Sequence, residues 1–132
     1  VDLSESDYDE GEGAGHDDTE YWSSDGDKWT FSYGNSYNSQ WGYLYYNGSY
    51  NWYYFDQDGY MVTGWFTAPD GKKFYLNPVS DGNQGAMCTG WNQIDGKWYY
   101  FSQEQGSGYG QLLTGTTTPD GYTVNENGEW VQ

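Results

Sequence analysis

The sequence predicts an all-β chain, a solenoid of stacked two-stranded hairpin repeats, and three observations carry that prediction. Rings dominate the apolar content, with 16 Tyr, 8 Trp and 5 Phe in 132 residues, while Leu, Ile and Val are too scarce for an ordinary globular core. Asp-Gly and Asn-Gly pairs, strong short-range hairpin signals, recur between aromatic runs. The whole pattern also repeats: Trp41, Trp65, Trp91 and Thr116 open successive units at spacings of 24, 26 and 25 residues.

Residues 1–20, VDLSESDYDEGEGAGHDDTE, are acidic and nearly free of large apolar groups, so they are expected to form a disordered linker that cannot offset its ordering entropy. DYDEGEG is dense in carboxylates but lacks the ligand order of a calcium loop. Residues 21–132 are expected to form one repeat domain. An atypical first repeat spans about 21–40, full repeats span 41–64, 65–90 and 91–115, and a degenerate unit at 116–132 reads as a terminal cap.

Within each unit, Asn47-Gly48, Asp70-Gly71, Asp95-Gly96 or Asp120-Gly121 marks the hairpin turn. The segments that follow three of these turns, Trp52-Tyr53-Tyr54-Phe55, Phe74-Tyr75-Leu76 and Trp98-Tyr99-Tyr100-Phe101, have strong strand preference. With a period of two, Trp98 and Tyr100 point one way and Tyr99 and Phe101 the other, which makes Tyr53, Phe55, Tyr99 and Phe101 candidate core residues. A lone hairpin is marginal in water, so the units must stack to bury one face.

The formal charge of -16 is concentrated at one end, with 11 of the 20 acids in the first 27 residues. Four basic residues in all leave no patch to neutralise phosphates, so nucleic acid is not an expected partner. No apolar run is long enough for membrane insertion. One cysteine, Cys88, excludes an intrachain disulfide and any thiolate metal cluster, and no cofactor is implied. The chain begins at Val1 without a signal segment, as a fragment or processed chain would.

Trp91 to Gly115, with a Trp, a Gly-bearing turn, W-Y-Y-F and then G-x-L-x-T-G, resembles the choline-binding or cell-wall-binding repeats of Gram-positive autolysins and surface proteins. Trp41 to Trp65 follows nearly the same pattern, and the likeness covers roughly residues 22 to 132. The repeats of glucan-binding proteins share much of it. The resemblance implies a left-handed superhelix, a secreted or cell-surface location, and choline of teichoic acids seated between consecutive repeats. Each site would take the Trp that opens a repeat, the Trp of its W-Y-Y strand, an aromatic from the next repeat and a neighbouring Met.

Carried over position by position, the opening residues are Trp22, Trp41, Trp65 and Trp91, the strand residues Trp29, Trp52 and Trp98, and the methionines Met61 and Met87. The expected cages are Trp22 with Trp29 and Trp52, and Trp91 with Trp98 closed by Tyr122. In the second full repeat Lys73 stands at the strand-Trp position, which should cripple a cation site beside Trp65. The chemistry agrees with the resemblance, because a quaternary ammonium donates no hydrogen bond and is held by ring faces, at roughly 0.5 to 2 kcal/mol each. A Trp pair flanking a turn is expected to face outward, as clustered exposed aromatics do at binding sites.

No catalytic residue is identified, since the one histidine, His16, lies in the expected linker and the remaining carboxylates sit mostly beside turn glycines. Any catalytic domain of a parent protein would precede Val1. The functional reading is a non-catalytic cell-wall attachment module for choline-bearing teichoic acid. A glucan or other cell-wall polysaccharide binder and a structural spacer or adhesin stalk stand as alternatives. The sequence does not set the oligomeric state.

Overall fold

The computed structural model describes residues 21–132, so the expected linker and His16 lie outside the described residues. Among the described residues all regular structure is β. Strands β1 (Trp22–Asp25), β2 (Lys28–Tyr33) and β3 (Asn35–Ser36) form an antiparallel sheet in that order. Four hairpins follow: β4 (Gln40–Tyr46) with β5 (Ser49–Phe55), β6 (Gly64–Thr67) with β7 (Lys73–Leu76), β8 (Gly90–Ile94) with β9 (Lys97–Phe101), and β10 (Thr116–Thr117) with β11 (Thr123–Val124).

The four turn dipeptides do not act alike. Asn47 and Gly48 both have positive φ (53° and 92°), as do Asp95 and Gly96 (52° and 83°), which is the two-residue turn whose twist matches its flanking strands. Asp70-Gly71 and Asp120-Gly121 each follow a proline, and only the glycine has positive φ. Pro69 and Pro119 hold φ near -65°, so the chain closes a wider loop, with Gly71 N–H donating to Ala68 and Gly121 N–H to Thr118 at 2.8 and 2.9 Å.

In four of the five sheets the opening Trp pairs across the ladder with an aromatic: Trp22 with Phe31, Trp41 with Tyr54, Trp65 with Tyr75 and Trp91 with Tyr100. Their ring centroids lie 5.0 to 5.2 Å apart at steep angles, the favoured edge-to-face geometry. The described chain falls into two compact units. One runs to Val62 and also takes in Pro78–Ala86; the other comprises Thr63–Asn77 and Met87–Gln132.

The first unit is centred on Trp22, Phe31, Tyr37, Leu44, Tyr53 and Phe55, all buried. Trp22 is only 5% exposed, so the expectation that it faces outward is corrected: it is a core residue. Its indole N–H is satisfied by the carbonyl of Tyr45 at 3.0 Å, which lets a polar group enter the core without penalty. The second unit buries Ile94, Phe101 and Leu112, with Tyr75 and Tyr99 packed on them. Tyr99, expected in the core, is only half-buried.

Backbone hydrogen bonds join hairpins in series within each unit. Met61 N–H donates to the carbonyl of Trp29 and Leu112 N–H to that of Lys73, both at 2.8 Å, and Trp130 N–H donates to Trp98 at 2.9 Å. Each donor is the third residue of a G-x-Φ triplet, where Φ is a large apolar residue: Gly59-Tyr60-Met61, Gly110-Gln111-Leu112 and Gly128-Glu129-Trp130. Each also bridges the end of its own repeat's second strand, at Phe55, Phe101 and Val124. At two of the three triplet glycines close approach excludes a side chain: a Cβ would collide with the Met87 sulfur at Gly110 and with Leu112 at Gly128.

Phe101, with no exposed surface, anchors the second unit, whereas Trp98, on the opposite face of the same strand, is 39% exposed. Phe101→Ala is expected to cost about 3–5 kcal/mol, and Trp98→Ala about 1 kcal/mol or less. Urea unfolding followed by near-ultraviolet circular dichroism measures both, and equal losses would place the core elsewhere.

Candidate functional site

The backbone stitch brings the Φ side chain of one repeat beside the strand residue of the repeat before it. The ladders place that strand residue opposite the position two after the opening Trp: Ser24 faces Trp29, Thr67 faces Lys73, and Gln93 faces Trp98. Three pockets therefore share one frame of opening residue, strand residue, Φ residue and a ring from the next repeat. In the first unit the frame is Trp22, Trp29, Met61 and Tyr53; in the second it is Trp65, Lys73, Leu112 and Tyr99, and again Trp91, Trp98, Trp130 and Tyr122.

The frames differ in what they leave open. The Trp22 pocket encloses only about 70 Å³, because Tyr46 and the segment bearing Ser80, Gly82 and Gln84 close over it. That segment is clipped down by Asn47 Nδ2, which donates to the Gly82 carbonyl at 3.2 Å. The Trp65 pocket is about 380 Å³ and is rimmed by charged and amide side chains. The Trp91 pocket is about 300 Å³ and is lined by Trp91, Trp98, Tyr122 and Trp130 alone, which puts it at the lower edge of the usual range for small-molecule sites, roughly 300 to 1,000 Å³.

Three of the four rings brace one another at right angles or nearly so: Trp91 to Tyr122 is 5.9 Å at 83°, Tyr122 to Trp130 is 6.0 Å at 86°, and Trp91 to Trp130 is 6.5 Å at 68°. Trp98 and Tyr122 remain 39% and 49% exposed, so ring surface is open to a ligand. Trp91 is further fixed by its indole N–H, which donates to Asp120 Oδ2 at 2.9 Å. Hydrogen bonds from the Thr118 hydroxyl and from this indole hold the Asp120 carboxyl below the usual carboxylate range. The site thus has an all-ring wall with a carboxylate behind one of its rings.

The predicted residues divide accordingly. Trp91, Trp98 and Tyr122 come together. Trp22 and Trp29 also meet, centroids 6.4 Å apart at 78°, but with Tyr46, Tyr53 and Met61 rather than with Trp52. Trp52 leans instead on Tyr43, its ladder partner, at 5.2 Å. Trp41 packs on Tyr54, and Met87 lies under Gly110, so neither lines the three pockets described. The wall missed in the sequence is Trp130; counting from Gly128 as the start of a G-x-Φ triplet would have placed it where Met61 and Met87 stand.

Comparison with known proteins bears on the same segments. The family description "Choline-binding repeat" matches residues 47–87, and a cell wall binding repeat matches residues 89–107. Glucosyltransferase-S of Streptococcus mutans is 43% identical over 74 residues, which cover 55% of this chain and 5% of that protein. The crystal structure of choline binding protein F from Streptococcus pneumoniae, determined with a peptidoglycan analogue, is 40% identical with a TM-score of 0.66, over 85% of this chain and 33% of that one. The choline binding domain of Spr1274 from the same organism is 34% identical over 84% of this chain and 93% of that one, with a TM-score of 0.45. This chain therefore spans about a third of choline binding protein F and a small part of the glucosyltransferase.

The Asp120 contact generates a pH prediction. A carboxyl whose pKa is lowered by hydrogen bonds to its ionised form keeps those bonds above its ordinary pKa and loses them as pH falls through the lowered value. The Trp91 indole N–H resonance should therefore hold constant from neutral pH down to about pH 4 and shift only below it. Asp120→Asn should abolish that step. A step at or above pH 4 in the unaltered chain would contradict the contact.

Proposed function

The chain belongs to the family of choline-binding, cell-wall-binding repeats, and from that premise we propose that it is a non-catalytic attachment module holding choline of teichoic acids in the Trp91 pocket. The observation that carries the reading is the composition of that wall: four aromatic rings and no charged side chain lining about 300 Å³. A trimethylammonium group asks for this and little else. It has no N–H to donate, its charge is spread over methyl surfaces, and ring faces supply both dispersion and quadrupole attraction.

The repeat module is non-catalytic. Two of the described carboxylates serve turns: Asp56 Oδ1 accepts from the N–H groups of Asp58 and Tyr60 at 2.9 Å, and Asp81 Oδ1 from Asn83 N–H at 3.0 Å. A catalytic domain, where the parent protein has one, would be attached outside this chain, and the module would retain it on the cell surface. The carboxylate of Asp120 serves the site indirectly, by fixing the Trp91 ring and adding negative potential behind it.

The other two frames bind choline poorly on this reading. The Trp22 pocket is closed by the 78–86 segment, and Lys73 puts an ammonium where a cage wall would stand. Like charges at about 4 Å cost around 1 kcal/mol in water and around 4 kcal/mol at an effective dielectric near 20. Binding to a wall would then gain strength from many chains or many cholines rather than from one tight site.

Free choline is expected to bind at about millimolar strength, with Trp98→Ala weakening it about tenfold or more while the fold persists. Calorimetry or fluorescence titration reads both. Micromolar affinity for free choline, or an unchanged affinity in Trp98→Ala, would contradict the proposal.

A further inference from the structure

The pocket built on Trp65 shares the frame of the Trp91 pocket but has different chemistry at two of its four corners and around its rim. Its strand position is Lys73, its Φ residue is Leu112, and its rim carries Gln111, Glu126 and Asn127. We propose that this pocket is a saccharide subsite that takes a neutral hexopyranose ring of a glycan, separately from the ring-walled pocket on the same chain.

A pyranose needs two things at once: an apolar platform for its C–H face, and donors and acceptors around its edge for the hydroxyls. Trp65 supplies the platform. Packed by its neighbours Tyr75 and Tyr99, with centroids 5.1 and 5.0 Å away at 66° and 75°, it is still 42% exposed. The edge groups are of every kind required: Lys73 donates only, Glu126 accepts only, and Gln111 and Asn127 do both.

Charge argues for a neutral occupant. Two lysines and two glutamates line the pocket, so the formal charges of its lining cancel. A quaternary ammonium here would leave the polar rim unmatched and would face the Lys73 ammonium. A sugar hydroxyl satisfies that same rim. The volume of about 380 Å³ lies within the usual range of roughly 300 to 1,000 Å³ for small-molecule sites.

Hexopyranose rings reach such a site from an α-glucan or from the N-acetylated glycan strand of a cell wall, and two probes separate these sources. Maltohexaose and chitohexaose are titrated separately against the full 132-residue chain by calorimetry, with and without saturating choline. The proposal expects one hexasaccharide or both to bind with a stoichiometry of one and without competition from choline. Glu126→Ala combined with Asn127→Ala, both exposed, should leave the fold intact and weaken saccharide binding about fivefold or more.

Lys73→Trp should lose the saccharide and gain choline capacity. Trp98→Ala should keep saccharide binding whatever it does to choline, so failure of this inference is distinguishable from failure of the choline reading. Binding of neither hexasaccharide, competition by choline, or an unchanged affinity in the rim double variant would overturn the proposal.

Discussion

One backbone hydrogen bond sets where every pocket wall stands: the N–H of a Φ residue donating to the carbonyl of the strand residue one hairpin earlier, seen at Met61 to Trp29, Leu112 to Lys73 and Trp130 to Trp98. Because a two-stranded hairpin cannot bury a face alone, that bond and the glycine two residues before its donor decide how closely the next hairpin approaches. At Gly110 and Gly128 the glycine removes a Cβ that would hold the neighbour off, and the ring of the following repeat falls over the opening Trp of the one before. Trp65 and Tyr99, 5.0 Å apart, and Trp22 and Tyr53, also 5.0 Å apart, are the same contact in two units.

With the frame constant, ligand chemistry becomes a matter of which side chain occupies each corner. Four rings alone wall the pocket at Trp91. Lys and Leu at two corners, with an amide and carboxylate rim, make a polar-edged pocket at Trp65. A longer connection between β7 and β8, which packs with the first unit, closes the pocket at Trp22. Repetition of a scaffold therefore does not imply repetition of a ligand.

Much of this was readable in the sequence, and the unread parts have physical reasons. Dipeptide turns and the spacing of Trp announce hairpins, because turn geometry and period are local properties, and the Lys73 register follows from the same count. Burial is not local. Trp22 and Trp91 open their repeats alike, yet the first is enclosed by the rings of a following hairpin and the second is left partly open by the short cap. The prolines at 69 and 119 changed the turn type without changing the hairpin, a choice between two local rules that the Asp-Gly signal alone does not make. Trp130 was missed because its repeat is too degenerate for the aromatic pattern, although its Gly128-Glu129-Trp130 triplet kept the stitch.

Carried to Trp98 by the stitch, Trp130 is proposed to complete a cage of four rings around choline. The indole N–H resonances of the 15N-labelled chain during a choline titration test it most directly. The account predicts that the Trp91, Trp98 and Trp130 signals move together along one binding curve, while that of Trp22, buried and bonded to the Tyr45 carbonyl, stays in place. A choline-dependent shift at Trp22 with none at Trp130 would contradict it.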